Sequence, residues 1–251
     1  MPFTPGHPAI VLPFIRSRLV SATGLVIGSM SPDFEYFFRM SVKGIYGHTK
    51  AGLFYFDIPV TIAIALIFHV VVKRKLISNL PNFFQKRFQD CLTFDFMAYL
   101  KKHWGIFFVS ALMGAASHVL WDSFTHNNRF FVRLFSEVYD NTHVLFRGAN
   151  YPLFYVLQQI STAVGLSAVG LYIVLMKPLR EVQVSTPRIS YWITVFVIAI
   201  VILRLRFFLQ PLDYDLGNVV VSGITGLMVG TIVCGFINFR NTPHCSKRFN
   251  G

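Results

Sequence analysis

The stretch Ser117-His118-Val119-Leu120-Trp121-Asp122-Ser123-Phe124-Thr125-His126 carries two imidazoles and a carboxylate at steps of four residues. At about 3.6 residues per turn such steps project from nearly one helix face, and each step rises about 6 Å. His118 and Asp122 can therefore share one metal ion. His126, about 12 Å from His118 along a continuous helix, needs a second ion or a bend in the chain. Imidazole and carboxylate suit zinc, and zinc lowers the pKa of a bound water toward about 7, which makes hydroxide available at neutral pH. Two ions about 3.5–4 Å apart could clamp the attacking and leaving oxygens of a phosphodiester. The alternative is that the trio marks a helix end, where His and Asp meet water.

Further groups of the same chemistry are His48 in Gly47-His48-Thr49, His7 in Gly6-His7-Pro8, and Asp33 in Ser31-Pro32-Asp33. Asp33 has a second explanation, because Ser31 as N-cap, Pro32 at the first position and an acid in the first turn would start a helix. Arg129, Arg133 and Arg147 could grip a phosphate or simply meet lipid headgroups. Asp140 and His143 are outer-loop candidates for the same site. Asp213 and Asp215 read as caps of the last helix, and Gln158 and Gln159 as helix-to-helix hydrogen bonders. His69 falls at the opposite end of its helix, and His103 and His244 read as loop residues.

The elements that position these groups are membrane helices. Of 251 residues, 54% are hydrophobic and 14% charged, with mean hydropathy +0.54, against about 25% charged in a soluble domain. A span needs about 20 apolar residues. Five stretches approach that: Gly52 to Val72, Trp104 to Trp121, Tyr151 to Met176, Ile189 to Leu203 and Leu216 to Phe239. The expected fold is all-α and polytopic, with short N-terminal helices. Arg16 and Arg18 within Ala9 to Met30 argue against a sixth span there and for helices at the interface or folded back on the bundle. Pro81 to Asp95 reads as an amphipathic surface helix or a polar loop. Close helix packing is expected at glycines 165, 170, 223, 226, 230 and 235.

Basic residues fix an orientation. Lys73, Arg74, Lys75, Lys86, Arg87, Lys101 and Lys102 follow the first span, and the positive-inside rule makes that side cytoplasmic, with Lys177, Arg180, Arg188, Arg240, Lys247 and Arg248 alongside. The first span then starts, and the second ends, on the outer side, so His48 and Asp122 meet at one face. That agreement survives an exchange of inside and outside.

The net charge of +12 is explained by this topology and by anionic headgroups, with no nucleic acid as partner. Cys91, Cys234 and Cys245 form no C-x-x-C pair and predict neither a disulfide framework nor a cysteine metal site. The first residues lack the pattern of a cleavable signal peptide. One integral membrane domain is expected over 1–251, with residues 1–150 bearing the motifs and 151–251 anchoring.

Pro2-Phe3-Thr4-Pro5-Gly6-His7-Pro8-Ala9, Gly28-Ser29-Met30-Ser31-Pro32-Asp33, His48-Thr49 and Ser117 through His126 together resemble a group of bacterial membrane proteins of unknown function. That group looks related to predicted inner-membrane metal-dependent hydrolases. The His-x-x-x-Asp helix is more distantly similar to the zinc phospholipase C and P1 nuclease enzymes. The resemblance implies a divalent metal site, zinc in one or two ions, from His7, Asp33, His48, His118, Asp122 and His126. The metal chemistry leads us to expect a hydrolase acting on a phosphoester or lipid-linked substrate, and the loop charges place that site at the outer face of the cell membrane. A noncatalytic protein with a structural or sensory metal is the alternative.

Overall fold

The structure, a computed structural model, describes residues 3–179 and 184–239. Arg180, Arg240, His244, Cys245, Lys247 and Arg248 lie outside the described residues. Among the described residues the fold is all-α apart from one hairpin, His143–Phe146 paired antiparallel with Ala149–Pro152. Arg147 and Gly148 both take positive φ at its tip, as a two-residue turn demands.

Among the described residues, five helices are long and apolar enough to cross a membrane. The first span is Leu53–Ser78. The second is the helix Phe96–Thr125. The third, fourth and fifth are Leu153–Leu175, Ile189–Leu209 and Leu216–Phe236. Their outer faces are apolar: Ile193, Phe196, Val197 and Ile200 are all exposed on the fourth span, a surface that suits lipid.

The first two spans run further than hydropathy suggests. The first continues through Lys73-Arg74-Lys75, since nothing breaks the helix there, and Lys73 donates to the Phe94 carbonyl at 2.7 Å. The second begins at Phe96 because Asp95 caps it, accepting from the Ala98 N–H at 3.0 Å. Lys101, Lys102 and His103 are therefore helical and not loop residues, and His103 marks a kink (φ −127°, ψ 32°). Pro81 to Asp95 is not one helix. It forms two short ones, Asn82–Gln85 and Gln89–Thr93.

No sixth span forms at the N-terminus. Prolines break the chain into 3-10 turns, Thr4–Ile10 and Leu12–Phe14, followed by the short helix Ala22–Gly28 capped by Ser21. This region folds back into the bundle through backbone contact. A Cβ added at Gly114 would lie 2.5 Å from the Leu25 carbonyl oxygen, so Ala22–Gly28 lies directly on the second span. A Cβ at Gly165 would lie 2.7 Å from the Gly6 carbonyl oxygen, which seats the first 3-10 helix on the third span. Of the other glycines, 226 and 230 let the fifth span meet Ala199 and Val195, and 235 abuts Val71, whereas 170 and 223 have nothing within 4 Å.

The helix Phe34–Arg39 ends where Met40 takes a left-handed conformation (φ 50°). The fifth span holds that end: Thr225 donates to the Phe37 carbonyl at 2.8 Å and Ser222 to that of Met40 at 3.2 Å. The loop leading to His48 starts from this anchored point.

Candidate metal centre

Three elements bring four side chains to one point. Asp33 closes the 3-10 turn Ser31–Asp33. His48 sits in the loop before the first span, and His118 and Asp122 lie one turn apart on the second. One donor atom from each of the four falls within 4.8 Å of all the others, so the group could hold a metal ion. His48 Nε2 is 3.3 Å from His118 Nε2, 3.5 Å from Asp33 Oδ1 and 3.3 Å from Asp122 Oδ2. His118 Nε2 is 3.5 Å from Asp33 Oδ1 and 3.4 Å from Asp122 Oδ2. Ligand bonds of about 2.0–2.1 Å in a tetrahedron give donor spacings of about 3.3–3.4 Å. These spacings therefore fit a zinc-sized ion.

Burial sharpens the fit. Asp33, His118 and Asp122 are no more than 2% exposed. Several buried donor atoms have no hydrogen-bond partner: both ring nitrogens of His7, Asp33 Oδ1, His48 Nδ1 and Asp122 Oδ1. Leaving such atoms unpaired costs about 1–3 kcal/mol each, and a cation answers that cost for those that face one another.

Supporting contacts orient the four. The Ser29 carbonyl lies 2.8 Å from His118 Nδ1, so Nδ1–H donates there and the Nε2 lone pair faces the centre. Thr4 donates to Asp33 Oδ2 at 2.6 Å, which leaves Oδ1 turned inward. Pro32 and Asp33 do stand in the first turn of a helix, a 3-10 turn that starts at Ser31, but Met30 is its N-cap residue and no side-chain capping bond forms. Burial alone would raise its pKa, but His118 and His48 outweigh that and hold the carboxyl below the usual range. Burial lowers His48, while hydrogen bonding to Asp122 and Asp33 more than restores it, so its pKa stands above the ordinary histidine value.

Glu35 fixes the loop that carries His48. Its carboxylate accepts the backbone N–H groups of Ile45 (2.8 Å), Tyr46 (2.7 Å) and Gly47 (3.0 Å), together with Arg39 at 3.0 Å. Burial raises this acid, and the bonds from Gly47, Tyr46, Ile45 and Arg39 lower it further than burial raises it.

His7 and His126 stand beside the four-residue group, against the other oxygen of Asp122. His7 Nε2 is 3.6 Å and His126 Nδ1 3.5 Å from Asp122 Oδ1. The helix stops at Thr125 and His126 turns extended (φ −119°, ψ 137°), which brings its ring back toward Asp122 instead of one turn further along. Burial, then the neighbouring His118, lowers His7 to about 3, so its ring is neutral at physiological pH.

The remaining candidates divide. Arg129 donates to the His48 carbonyl at 3.1 Å and with Arg133, Asn128, Phe130 and Leu134 lines an open cavity of about 540 Å³. Asp140, His143 and Arg147 are exposed and do not join the cluster. Asp215 does cap the fifth span, accepting from Asn218 at 3.0 Å, whereas Asp213 pairs with Arg206 at 2.8 Å. Gln158, a helix-packing residue by its sequence position, lies 3.3 Å from the His126 ring. His69 bonds Thr23 and stacks on Phe96, apart from the cluster.

Sequence reasoning misses Thr4, Glu35 and Asp57. Asp57 is fully buried in the first span with both carboxylate oxygens unpartnered, and an acid within a span is itself the available signal. Thr4 and Glu35 have no comparable mark.

Residues 1–236 match the family described as Domain of unknown function (DUF4184), and the chain belongs to that family. No curated protein and no solved structure matches it.

Proposed function

We propose that this protein is a metal-dependent hydrolase of the bacterial inner membrane, acting at the extracytoplasmic face on a phosphoester or lipid-linked substrate. The observation that carries the reading is the convergence of Asp33, His48, His118 and Asp122 at 3.3–3.5 Å spacings, with Asp33 Oδ1 buried there without a hydrogen-bond partner. Two imidazoles and two carboxylates suit zinc, with His7 and His126 completing the six-residue set.

Zinc held there would supply Lewis acidity and a water acidified toward a pKa of about 7. The chain's own part is to keep donors in place and select the substrate. Glu35 and the Ser29 carbonyl hold His48 and His118. Arg129 and Arg133 border the cavity beside His48 and suit an anionic oxygen by bidentate hydrogen bonding. The basic residues after the first span support the outward orientation of the site.

Closure of the centre by four protein donors favours a second reading. Structural zinc sites have four protein ligands, while catalytic ones keep a position open. A structural or sensory metal would use the same residues.

The test is elemental analysis of detergent-purified protein beside a His118→Ala/Asp122→Ala variant, with hydrolysis of bis-p-nitrophenyl phosphate and of phospholipid vesicles. Bound zinc and hydrolysis, both lost in the folded variant, support the hydrolase. Zinc whose removal unfolds the protein, with no hydrolysis before removal, supports the structural reading. Absence of metal in wild type prepared without chelators rejects both.

A further inference from the structure

We infer that the centre binds two ions, with Asp122 as the bridge: Oδ2 belongs to the closed four-donor group, and Oδ1, His7 and His126 form a second site with three protein donors. The inference rests on the reading that the four-donor group binds metal. It assigns the open, substrate-facing role to the second ion.

The unpartnered atoms carry the argument. Asp122 Oδ1 is buried without a hydrogen bond, and the two imidazoles nearest to it approach at 3.6 Å and 3.5 Å. Each imidazole thus stands from Oδ1 at the distance that two ligands of one ion keep, since bonds of about 2.0–2.2 Å separate adjacent ligands by about 3.3–3.6 Å. His7 is 2% exposed and neither ring nitrogen is bonded, so its burial in this place has no other polar compensation. Its ring stacks on His118 at 3.7 Å between centroids, which fixes its plane without using either nitrogen.

The partner of the His126 ring agrees. Gln158 lies 3.3 Å from His126 Nε2. With its carbonyl oxygen toward the ring, the amide accepts Nε2–H and makes Nδ1 the lone-pair nitrogen that an ion needs, an atom that also lies 3.2 Å from Thr125 Oγ1 and 3.3 Å from the Asp122 carbonyl oxygen; the two ends of an amide are isosteric, and the hydrogen-bond network decides which faces the ring. Access agrees as well. The His126 side chain is 22% exposed, against 0–7% for the four-donor group, so the second site is the one at the mouth. Three protein donors with one position left over is the pattern of catalytic zinc. The four-donor site is already full.

The test is zinc stoichiometry of the full chain in detergent, stripped with chelator, reloaded with zinc alone and desalted. Wild type, His126→Ala and His7→Phe are compared; phenylalanine keeps the stack on His118 and removes the donors. Two zinc per chain in wild type and one in each variant is expected. One zinc in wild type, or two retained by both variants, overturns the inference. If His7→Phe does not fold, His126→Ala at the exposed edge decides alone. Hydrolysis with a single zinc overturns the two-ion arrangement and leaves the hydrolase reading intact. Two zinc without hydrolysis does the reverse.

Discussion

His7 and His118 stack ring on ring, with centroids 3.7 Å apart and planes 20° from parallel. Two imidazoles this close cannot both carry charge cheaply, and burial already disfavours charge on His7.

Burial of His7, with His118 beside it, sets a pH dependence for the metal-free protein. His7 titrates at 6.5 unfolded and at about 3 folded, so the unfolded chain binds the extra proton between those values. Its contribution to stability is complete above pH 6.5 and is lost as pH falls toward about 3. Thermal melts of chelator-stripped protein in detergent should show Tm falling over that window, and the fall should shrink in His7→Phe.

Loss of the Glu35 carboxylate should loosen the His48 loop. Glu35→Ala leaves three backbone N–H groups without their acceptor, and hydrogen bonds to charged groups contribute about 1.5–3 kcal/mol each. Zinc competition titration should show affinity reduced at least tenfold, with Glu35→Gln less affected.

Thr4→Val removes the hydroxyl that turns Asp33 while keeping its volume. Outer-shell partners of metal ligands are worth about 10–100-fold in affinity, and the same titration should register a loss in that range. Unchanged affinity would mean that Asp33 needs no such support.

The glycines divide into two groups that should behave oppositely. Gly114→Ala pushes a methyl group into the Leu25 carbonyl and should destabilise by about 1–3 kcal/mol, overpacking being the cause. Gly170→Ala and Gly223→Ala meet open space and should be neutral or stabilise by up to about 1 kcal/mol. Melting temperatures of the three variants check this.

Much of the architecture is legible in the sequence because hydropathy is a strong signal in lipid: the five spans lie where hydropathy places them, with the first, second and fourth running further than expected. Hydropathy stops at the first lysine, whereas a helix stops where capping or proline ends it, and so Leu53–Ser78 outruns its apolar core. The pairing of His48 with Asp122 followed from strand-free topology alone, since both chain segments reach the same side of the membrane. The parts that were not legible depend on backbone conformation. The turn at His126 and the carbonyl of Ser29 have no residue-type signature, and Glu35 acts on main-chain groups whose identity the sequence does not encode.

The contact between Gly6 and Gly165 has a consequence for biosynthesis. The segment carrying His7 is made early, yet its seat on the third span is synthesised only after the second has been completed. During insertion the early histidine must wait for a partner that has not left the ribosome. Metal capture that uses His7 is thereby tied to a nearly finished bundle, and a chain stalled after its second span would carry the four-donor group without the seat that holds His7 beside it.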